Sequence, residues 1–315
     1  TKNATEAINL VASSFGSKFE KGDEVIISIL EHHSNIVPWH FLRERNGVVI
    51  KWANIDESGC IDVDHLESLI TNKTKIISVT HMSNVLGTVQ PLKEVINLAH
   101  HRGIPVMVDG TQGAVHDNID VSDLDVDFYV FTGHKLYGPS GIGVLYAKKE
   151  QLDNMIPYQG GGEMIAEVTK DTVVYADIPQ KFEAGTPPIV QAIGLGHAIK
   201  YINQIGIPEI HKHEKQISDY AKEKLARVDG INFLINPVKS NGIFSFTMDG
   251  THPHDVSTII DRKGIAIRAG THCAEPLLQT FNVTSTCRAS IAMYNNEKDI
   301  DSLYDSLLYC KKFFT

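Results

Sequence analysis

Two charged side chains follow apolar runs of this chain, at places where a side chain can take part in chemistry. Lys135 comes shortly after the aromatic and β-branched run Phe128–Phe131, and Asp109 ends an earlier apolar run. An unpaired ammonium is costly to bury, so such a lysine is paired, reaches water or is used chemically. Burial or a nearby cation lowers the pKa of a lysine, which favours the free amine that Schiff-base formation needs. A surface lysine, or an Asp109–Lys135 salt bridge at a sheet edge, is the alternative.

An aspartate and a lysine at the ends of neighbouring strands suit one cofactor, pyridoxal phosphate. The lysine can form an imine with it, and the carboxylate can keep its pyridine nitrogen protonated. Cys273 adds a possible nucleophile, since it lies in a polar loop between Gly270 and Pro276. A reactive thiolate needs access and electropositive neighbours, and His272 and Arg268 are close in sequence. The alternative is a buried structural cysteine, which is our interpretation of the other three: Cys60, Cys287 and Cys310.

The elements that must position these residues alternate between strand and helix in the first half of the chain. The inner strands are continuous apolar runs, which is typical of a mostly parallel sheet covered by helices on both faces. Functional sites in such sheets lie beyond the carboxyl ends of the strands. Polar clusters occur at four predicted strand ends: His32–His33, His81–Asn84, Asp109–Gln112 and Thr132–Lys135. Before them, Thr5 is the predicted N-cap of a first helix.

The second half predicts a smaller α+β domain. We place the large domain at residues 1–185, N-terminally incomplete, and the small C-terminal domain at residues 186–315. The stretch from Gly160 to Pro187 has no predicted element. Predicted elements follow: helices Ile189–Ile205, Glu209–Val228, Pro253–Lys263 and Glu297–Phe313, strands Ile231–Leu234, Gly242–Met248, Ile265–Arg268 and Arg288–Met293, and a loop Ala269–Asn282 that holds Cys273. The mixed charges from His211 to Lys224, including Glu214, predict a solvated helix face, and we assign His116 no direct role.

Composition narrows the functional class. The 315-residue chain has a formal net charge of −9 and no run of basic residues, which does not favour nucleic acid or an anionic membrane as a partner. It has no apolar stretch long enough to cross a bilayer. Its four cysteines show no CxxC spacing, and it has no HExxH motif, so we predict no metal site. Scattered cysteines fit a reducing compartment, and we expect a cytoplasmic protein, with organelle import left open.

Longer motifs carry a resemblance to a known family. The strings TEAINLVA, EHHSNIVPW, HMSNVLGT, VDGTQ, TGHKLYGP, GGGEMI, FEAGTP, RAGTHCAEPL and CRASIAMYN run through essentially the whole chain. It resembles the class V aminotransferases and, more narrowly, the group II (SUF-type) cysteine desulfurases. The resemblance implies a fold-type I pyridoxal phosphate enzyme that forms a homodimer. Family members have a substantial segment before TEAINL, so we expect a fragment or shortened form, and Asn3-Ala4-Thr5 departs from the usual motif.

The resemblance implies a role for each matching residue. Lys135 matches the Schiff-base lysine that also moves the Cα proton, and Asp109 matches the partner of the pyridinium nitrogen. Further cofactor contacts are implied: Gln112 to the ring hydroxyl oxygen, His32 on the ring face and in proton transfer, Thr5, Thr132 and His134 to the phosphate, and Thr186 to the phosphate of the neighbouring subunit. Asn84 and Arg288 match contacts to the substrate carboxylate, Arg268 an arginine near the mobile cysteine, and Cys273 the nucleophile.

The implied reaction converts L-cysteine to L-alanine. The Cys273 thiolate attacks the substrate sulfur and becomes a persulfide, which a SUF-type acceptor protein receives for iron–sulfur cluster assembly. Selenocysteine lyase, acting on L-selenocysteine, shares the scaffold and stays open as an alternative. A truncated, weakly active protein that binds an acceptor or scaffold is another alternative. A plain transaminase is disfavoured because it has no use for Cys273 on a loop.

Overall fold

The computed structural model describes residues 1–236 and 240–314. Within these ranges the helices are α1 (Ala4–Ser14), α2 (Val37–Asn46), α3 (Val63–Leu69), α4 (Leu92–His100), α5 (Gly113–His116), α6 (Val121–Leu124), α7 (Lys149–Asn154), α8 (Ile189–Ile205), α9 (Ile207–Leu225), α10 (Pro253–Asp261), α11 (Glu275–Thr280) and α12 (Glu297–Phe314). Short 3-10 turns cover Gly16–Lys18, His33–Asn35 and Gln180–Phe182. In the part of the chain so described, no helix is long and apolar enough to cross a membrane.

The strands build three sheets. They are β1 (Glu24–Ser28), β2 (Val49–Ala53), β3 (Thr74–Thr80), β4 (Val106–Asp109), β5 (Phe128–Thr132), β6 (Gly143–Ala147), β7 (Ile165–Val168), β8 (Val173–Tyr175), β9 (Ile231–Phe233), β10 (Ile243–Met248), β11 (Arg268–Gly270) and β12 (Thr286–Ser290). The largest sheet has the order β2-β1-β3-β4-β5-β6. Its strands pair in parallel except for β6, which is antiparallel to β5. The predicted α/β class with a mostly parallel sheet is confirmed.

Both faces of the large sheet are covered by helices, as its continuous apolar strands require. One face packs Val95 and Ile96 of α4 and Leu66 of α3 against the sheet, and the other packs Ile8 of α1 and Trp39 of α2. Helix α11 comes from the far end of the sequence, yet its Leu277 and Leu278 are also part of the first core. Both faces of the sheet are therefore buried, and α11 ties the segment before it to one of them.

The remaining strands form a four-stranded antiparallel sheet, β11-β12-β10-β9, and a hairpin, β7-β8. The four-stranded sheet has a core of its own with α9, α10 and α12. The hairpin corrects our expectation that 160–187 contains no regular element. It went unpredicted because its strands have only four and three residues, too few to show a clear alternation of apolar and polar positions. The division of the chain at residue 185 stays a prediction.

Three local expectations are wrong. The N-cap of α1 is Asn3, whose extended backbone lets its side chain accept a hydrogen bond from Glu6 N at 2.8 Å, and Thr5 lies in the first turn. The predicted loop Ala269–Asn282 contains the end of β11 and all of α11. Strand β11 begins at Arg268, where its three-residue pairing with β12 begins, and β12 ends at Ser290, where its pairing with β10 ends.

Candidate active site

A cavity of about 190 Å³ opens at the carboxyl ends of β1, β3, β4 and β5, next to the start of α1. Parallel strands bring their carboxyl ends to one edge of the sheet, which is why residues far apart in sequence meet here. The cavity is lined by eight of the predicted site residues: Thr5, His32, Asn84, Asp109, Gln112, Thr132, His134 and Lys135. The polar clusters predicted at separate strand ends therefore contribute to a single site.

Lys135 supplies a buried amine to this cavity. Its Nζ lies 3.4 Å from Gln112 Oε1. Burial lowers the pKa of Lys135 below its ordinary value and outweighs the opposing attraction of the Asp109 carboxylate. Asp109 is the last residue of β4 and is buried, and its Oδ1 accepts a hydrogen bond from Thr111 N at 3.0 Å. The cavity thus pairs a lysine that burial makes easier to deprotonate with a fixed carboxylate.

His32 follows β1 and presents a neutral ring to the same cavity. Ser34 N donates to His32 Nδ1 at 3.1 Å, so Nδ1 is the acceptor and the ring proton is on Nε2. Burial lowers the pKa of His32, and the Asp109 carboxylate opposes this only in part. The Nε2 proton is therefore available as a donor.

Hydroxyl and N–H groups collect where α1 begins. Thr132 Oγ1 lies 3.0 Å from His134 Nδ1, and Thr5 Oγ1 lies 2.9 Å from Ser34 Oγ. Helix α1 starts at Ala4, so its first N–H groups have no partner within the helix. A helix N-terminus with neighbouring hydroxyls favours an anion such as a phosphate.

Two arginines lie next to each other on neighbouring strands, and one of them contacts Asn84 at the cavity wall. Arg268 and Arg288 are directly opposite each other on β11 and β12, a like-charged pair that costs energy without an anion between or beside it. Arg288 Nη1 donates to Asn84 O at 2.9 Å, while Arg288 Nε is buried with no hydrogen-bond partner among the residues that the structure describes. Burial, and then Arg268, lowers the pKa of Arg288. A carboxylate would satisfy both arginines.

The Cys273 segment is held against the cavity by backbone hydrogen bonds. His33 N donates to Cys273 O at 2.8 Å, and Asn84 Nδ2 donates to His272 O at 2.9 Å. His272 and Cys273 both have positive φ, 55° and 56°, which turns the chain sharply between β11 and α11. The Cys273 side chain is half-buried, and its charge raises the pKa of Lys135 against the effect of burial. The thiol therefore lies within electrostatic reach of the lysine.

The expectation that His272 is an electropositive neighbour of Cys273 is wrong. His272 is buried, and burial together with the Arg288 charge lowers its pKa to about 4. Its Nε2 is 2.9 Å from Thr286 Oγ1, which fixes the ring behind the turn. The ring is neutral near pH 7, so Arg288, and not His272, supplies positive charge to the Cys273 thiol.

Some residues fall outside the predicted arrangement. Four predicted site residues are not among those that line the cavity: Thr186 and Arg268, which are exposed, and Cys273 and Arg288, which are half-buried. Sequence reasoning missed Thr111, whose buried hydroxyl has no partner in the described part of the chain, although its place between Asp109 and Gln112 was a usable signal. It also missed Glu214, which is buried against His116 and not on a solvated helix face.

Comparison with known proteins identifies the family of the chain. The model of the family described as aminotransferase class-V matches residues 1–303. The chain belongs to this family. A probable cysteine desulfurase of Halalkalibacterium halodurans is 45% identical over 315 residues, which is 100% of this chain and 77% of that protein. The crystal structure of the Escherichia coli cysteine desulfurase CsdA matches with a TM-score of 0.97 and 40% identity, over 100% of this chain and 79% of that one.

A cysteine desulfurase of Thermococcus onnurineus also matches, with a TM-score of 0.95 and 35% identity over 99% of this chain and 78% of that chain. These likenesses confirm the predicted fold-type I architecture, and membership of the class V family implies pyridoxal phosphate as the cofactor. The donor set fits this group: a buried amine with a lowered pKa at Lys135, a buried carboxylate at Asp109, and an anion-binding helix N-terminus at α1. The unpartnered hydroxyl of Thr111 leaves one further polar group to be satisfied by a ligand.

Proposed function

We propose that the protein is a pyridoxal phosphate-dependent cysteine desulfurase of group II, which forms a persulfide on Cys273. One observation carries the proposal: the Cys273 segment is fixed to the cavity that contains Lys135, through the hydrogen bonds from His33 N to Cys273 O and from Asn84 Nδ2 to His272 O. A transaminase does not need a thiol at this place. The names of the relatives support the same activity.

Each end of the cavity would hold one part of the cofactor. Thr5, Thr132 and His134 would bind the phosphate together with the N-terminus of α1. Asp109 would pair with the ring nitrogen, His32 would lie against the ring, and Lys135 would form the covalent link. When bound, pyridoxal phosphate supplies the electron sink that weakens bonds at the substrate Cα. Thr186 would reach the phosphate of the other subunit.

The substrate would be oriented by its carboxylate. Arg288 would bind it through its partnerless Nε, with Asn84 beside it and Arg268 across the strand pair. This leaves the substrate sulfur on the side of Cys273. The free amine of Lys135, favoured by burial, would accept and return the proton at the substrate Cα.

Sulfur transfer then needs one nucleophilic step. Cys273 Sγ, as the thiolate, attacks the substrate sulfur, so that an S–S bond forms while the substrate Cβ–S bond breaks. The electron pair of the broken bond stays on Cβ, which takes up a proton. The product then leaves as alanine. Cys273 keeps the outer sulfur as a persulfide. The positive charge of Arg288 would stabilise the attacking thiolate, as a reactive cysteine requires.

The proposal includes a homodimer in the cytoplasm that delivers sulfur to a SUF-type acceptor for iron–sulfur cluster assembly. Helix α8 supports the dimer, because Ile189, Val190 and Ile193 are 56%, 77% and 59% exposed in the single chain. Exposed apolar patches of this kind are typical of protein–protein interfaces. The acceptor would dock where it can reach the half-buried Cys273 thiol.

Alanine and sulfide formation from L-cysteine tests the function. We expect the pyridoxal phosphate-loaded chain to turn over L-cysteine with a reductant present, and the Cys273→Ala variant to lose desulfuration while it still binds the cofactor. Cys60→Ala is the matched control, because Cys60 is also free and half-buried but lies away from the cavity. Equal activity of the Cys273→Ala and Cys60→Ala variants would refute the role of Cys273. L-selenocysteine, assayed in parallel, would reveal a lyase preference.

A further inference from the structure

A chain of hydrogen bonds leads from the Lys135 cavity into the interior. Gln112 Oε1 lies 3.4 Å from Lys135 Nζ, and Gln112 Nε2 lies 2.9 Å from His116 Nε2, one helical turn further on. His116 Nδ1 is 2.8 Å from Glu214 Oε2. Glu214 belongs to α9, so the chain joins the cavity to a helix that packs against α12 of the C-terminal core.

The direction of each bond follows from the chemistry of the groups. A carboxylate oxygen only accepts, so His116 Nδ1 donates to Glu214 Oε2. The Gln112 amide turns its Nε2, a donor, toward His116 Nε2, which therefore accepts. Rotating the amide by 180° would place Gln112 Oε1 against the His116 lone pair, and two acceptors would face each other.

The amide of Gln112 therefore has one favoured orientation. Its Oε1 faces Lys135, and the second proton on Nε2 is left for a ligand of the cavity. The side chains of His116 and Glu214 are 12% and 8% exposed, so water competes little with these bonds. The Glu214 charge also reaches Tyr137, two residues after Lys135, whose pKa is raised to about 12 by burial and then by Glu214.

We propose that His116 and Glu214 are positioning residues, which fix the orientation that the Gln112 amide presents to Lys135 and to a bound pyridoxal phosphate. The inference rests on the proposed function, since it treats Gln112 as a wall of the cofactor cavity. Stability alone is a weak reason for a buried carboxylate, because a well-packed apolar residue at such a place is often as stabilising. A positioning role gives the carboxylate a purpose that an apolar residue cannot serve.

The test compares substitutions that keep volume but differ in hydrogen bonding. Glu214→Met removes the hydrogen-bond acceptor for His116, whereas Glu214→Gln keeps an acceptor oxygen on a side chain of the same length. Glu223→Met is the matched control on the exposed side of the same helix. Each variant is titrated with pyridoxal phosphate and followed by the visible absorption of the bound cofactor. Each substitution is also made in a Gln112→Leu background. Thermal unfolding of every variant verifies that it folds.

We expect Glu214→Met to raise the dissociation constant of pyridoxal phosphate about tenfold in the parent chain, as for the loss of one well-aligned hydrogen bond. In the Gln112→Leu background the same substitution should have less than about a twofold effect, because Glu214 acts through Gln112. Glu214→Gln and Glu223→Met should stay close to the parent. An equal effect of Glu214→Met in both backgrounds, or no effect in either, would overturn the proposal.

A second measurement is independent of the cofactor. Nitrogen NMR of histidine-labelled chain, with the His116 signals assigned from a His116→Gln variant, reports which ring nitrogen carries the proton. We expect the Nδ1–H form in the parent and a mixture of both forms in Glu214→Met. An Nε2–H form in the parent would overturn the inference. A parent chain that fails to bind pyridoxal phosphate would contradict the proposed function, and the NMR result would still decide the orientation of Gln112.

Discussion

His272 offers a quantitative test of the electrostatics around Cys273. Burial lowers its pKa from 6.5 to about 4, so the folded protein binds fewer protons at this ring than the unfolded chain between these two pH values. Stability from this group is therefore present above pH 6.5 and is lost as the pH falls toward 4. The His272→Asn variant removes the titrating ring, and asparagine tolerates the positive φ of 55° at this position.

The size of the effect follows from the two pKa values. Proton linkage at this one ring costs about 2 kcal/mol of folding stability at pH 5 and almost nothing at pH 7. The wild type should therefore lose about 2 kcal/mol more than His272→Asn between pH 7 and pH 5. Loss of the bond to Thr286 lowers the stability of the variant by a similar amount at both pH values, so it cancels in this comparison.

Urea unfolding at the two pH values measures this difference directly. His254→Asn, at an exposed histidine, is the control and should retain the pH dependence of the wild type. If His272→Asn loses as much stability as the wild type between pH 7 and pH 5, then His272 is not held neutral by burial. The conclusion that His272 adds no positive charge near Cys273 would then be wrong.

Three further substitutions test other parts of the account. Arg288→Lys should raise KM for L-cysteine about tenfold or more with a smaller change in kcat, because lysine cannot bind a carboxylate through two parallel bonds; an unchanged KM would contradict the subsite. Leu277→Ala, at a fully buried position of α11, should cost about 2–5 kcal/mol in urea unfolding; a cost below about 1 kcal/mol would show that α11 does not anchor the Cys273 segment. Ile193→Asp should convert the dimer to a monomer in sedimentation velocity, and a wild-type monomer would contradict the α8 interface.

Much of the large sheet could be predicted from local sequence. The runs that form β1, β3 and β4 have apolar residues on both faces, which predicts buried parallel strands. The position of Lys135 and Asp109 at strand ends follows from that prediction. The hairpin β7-β8 could not be predicted in the same way, because its strands are only four and three residues long.

The errors near the site have a common physical cause: burial set by distant elements. His272 and Glu214 are polar residues that local patterns assign to a loop or a solvated face, yet tertiary packing buries both. Their altered roles depend on Arg288 and His116, which are distant in sequence and adjacent in space. A local sequence pattern does not show which distant residues will be neighbours in space, so the neutral state of His272 could be inferred only from the structure.

The most direct test of the central claim is to locate the sulfur atom. The pyridoxal phosphate-loaded chain is treated briefly with L-cysteine, its thiols and persulfides are blocked, and its peptides are analysed by mass spectrometry. The account predicts that the peptide with Cys273 becomes one sulfur atom heavier, while peptides with Cys60, Cys287 and Cys310 do not, and that Lys135→Ala abolishes the change. Alanine formation without added sulfur on Cys273, or added sulfur on Cys60 to the same extent, would contradict the account.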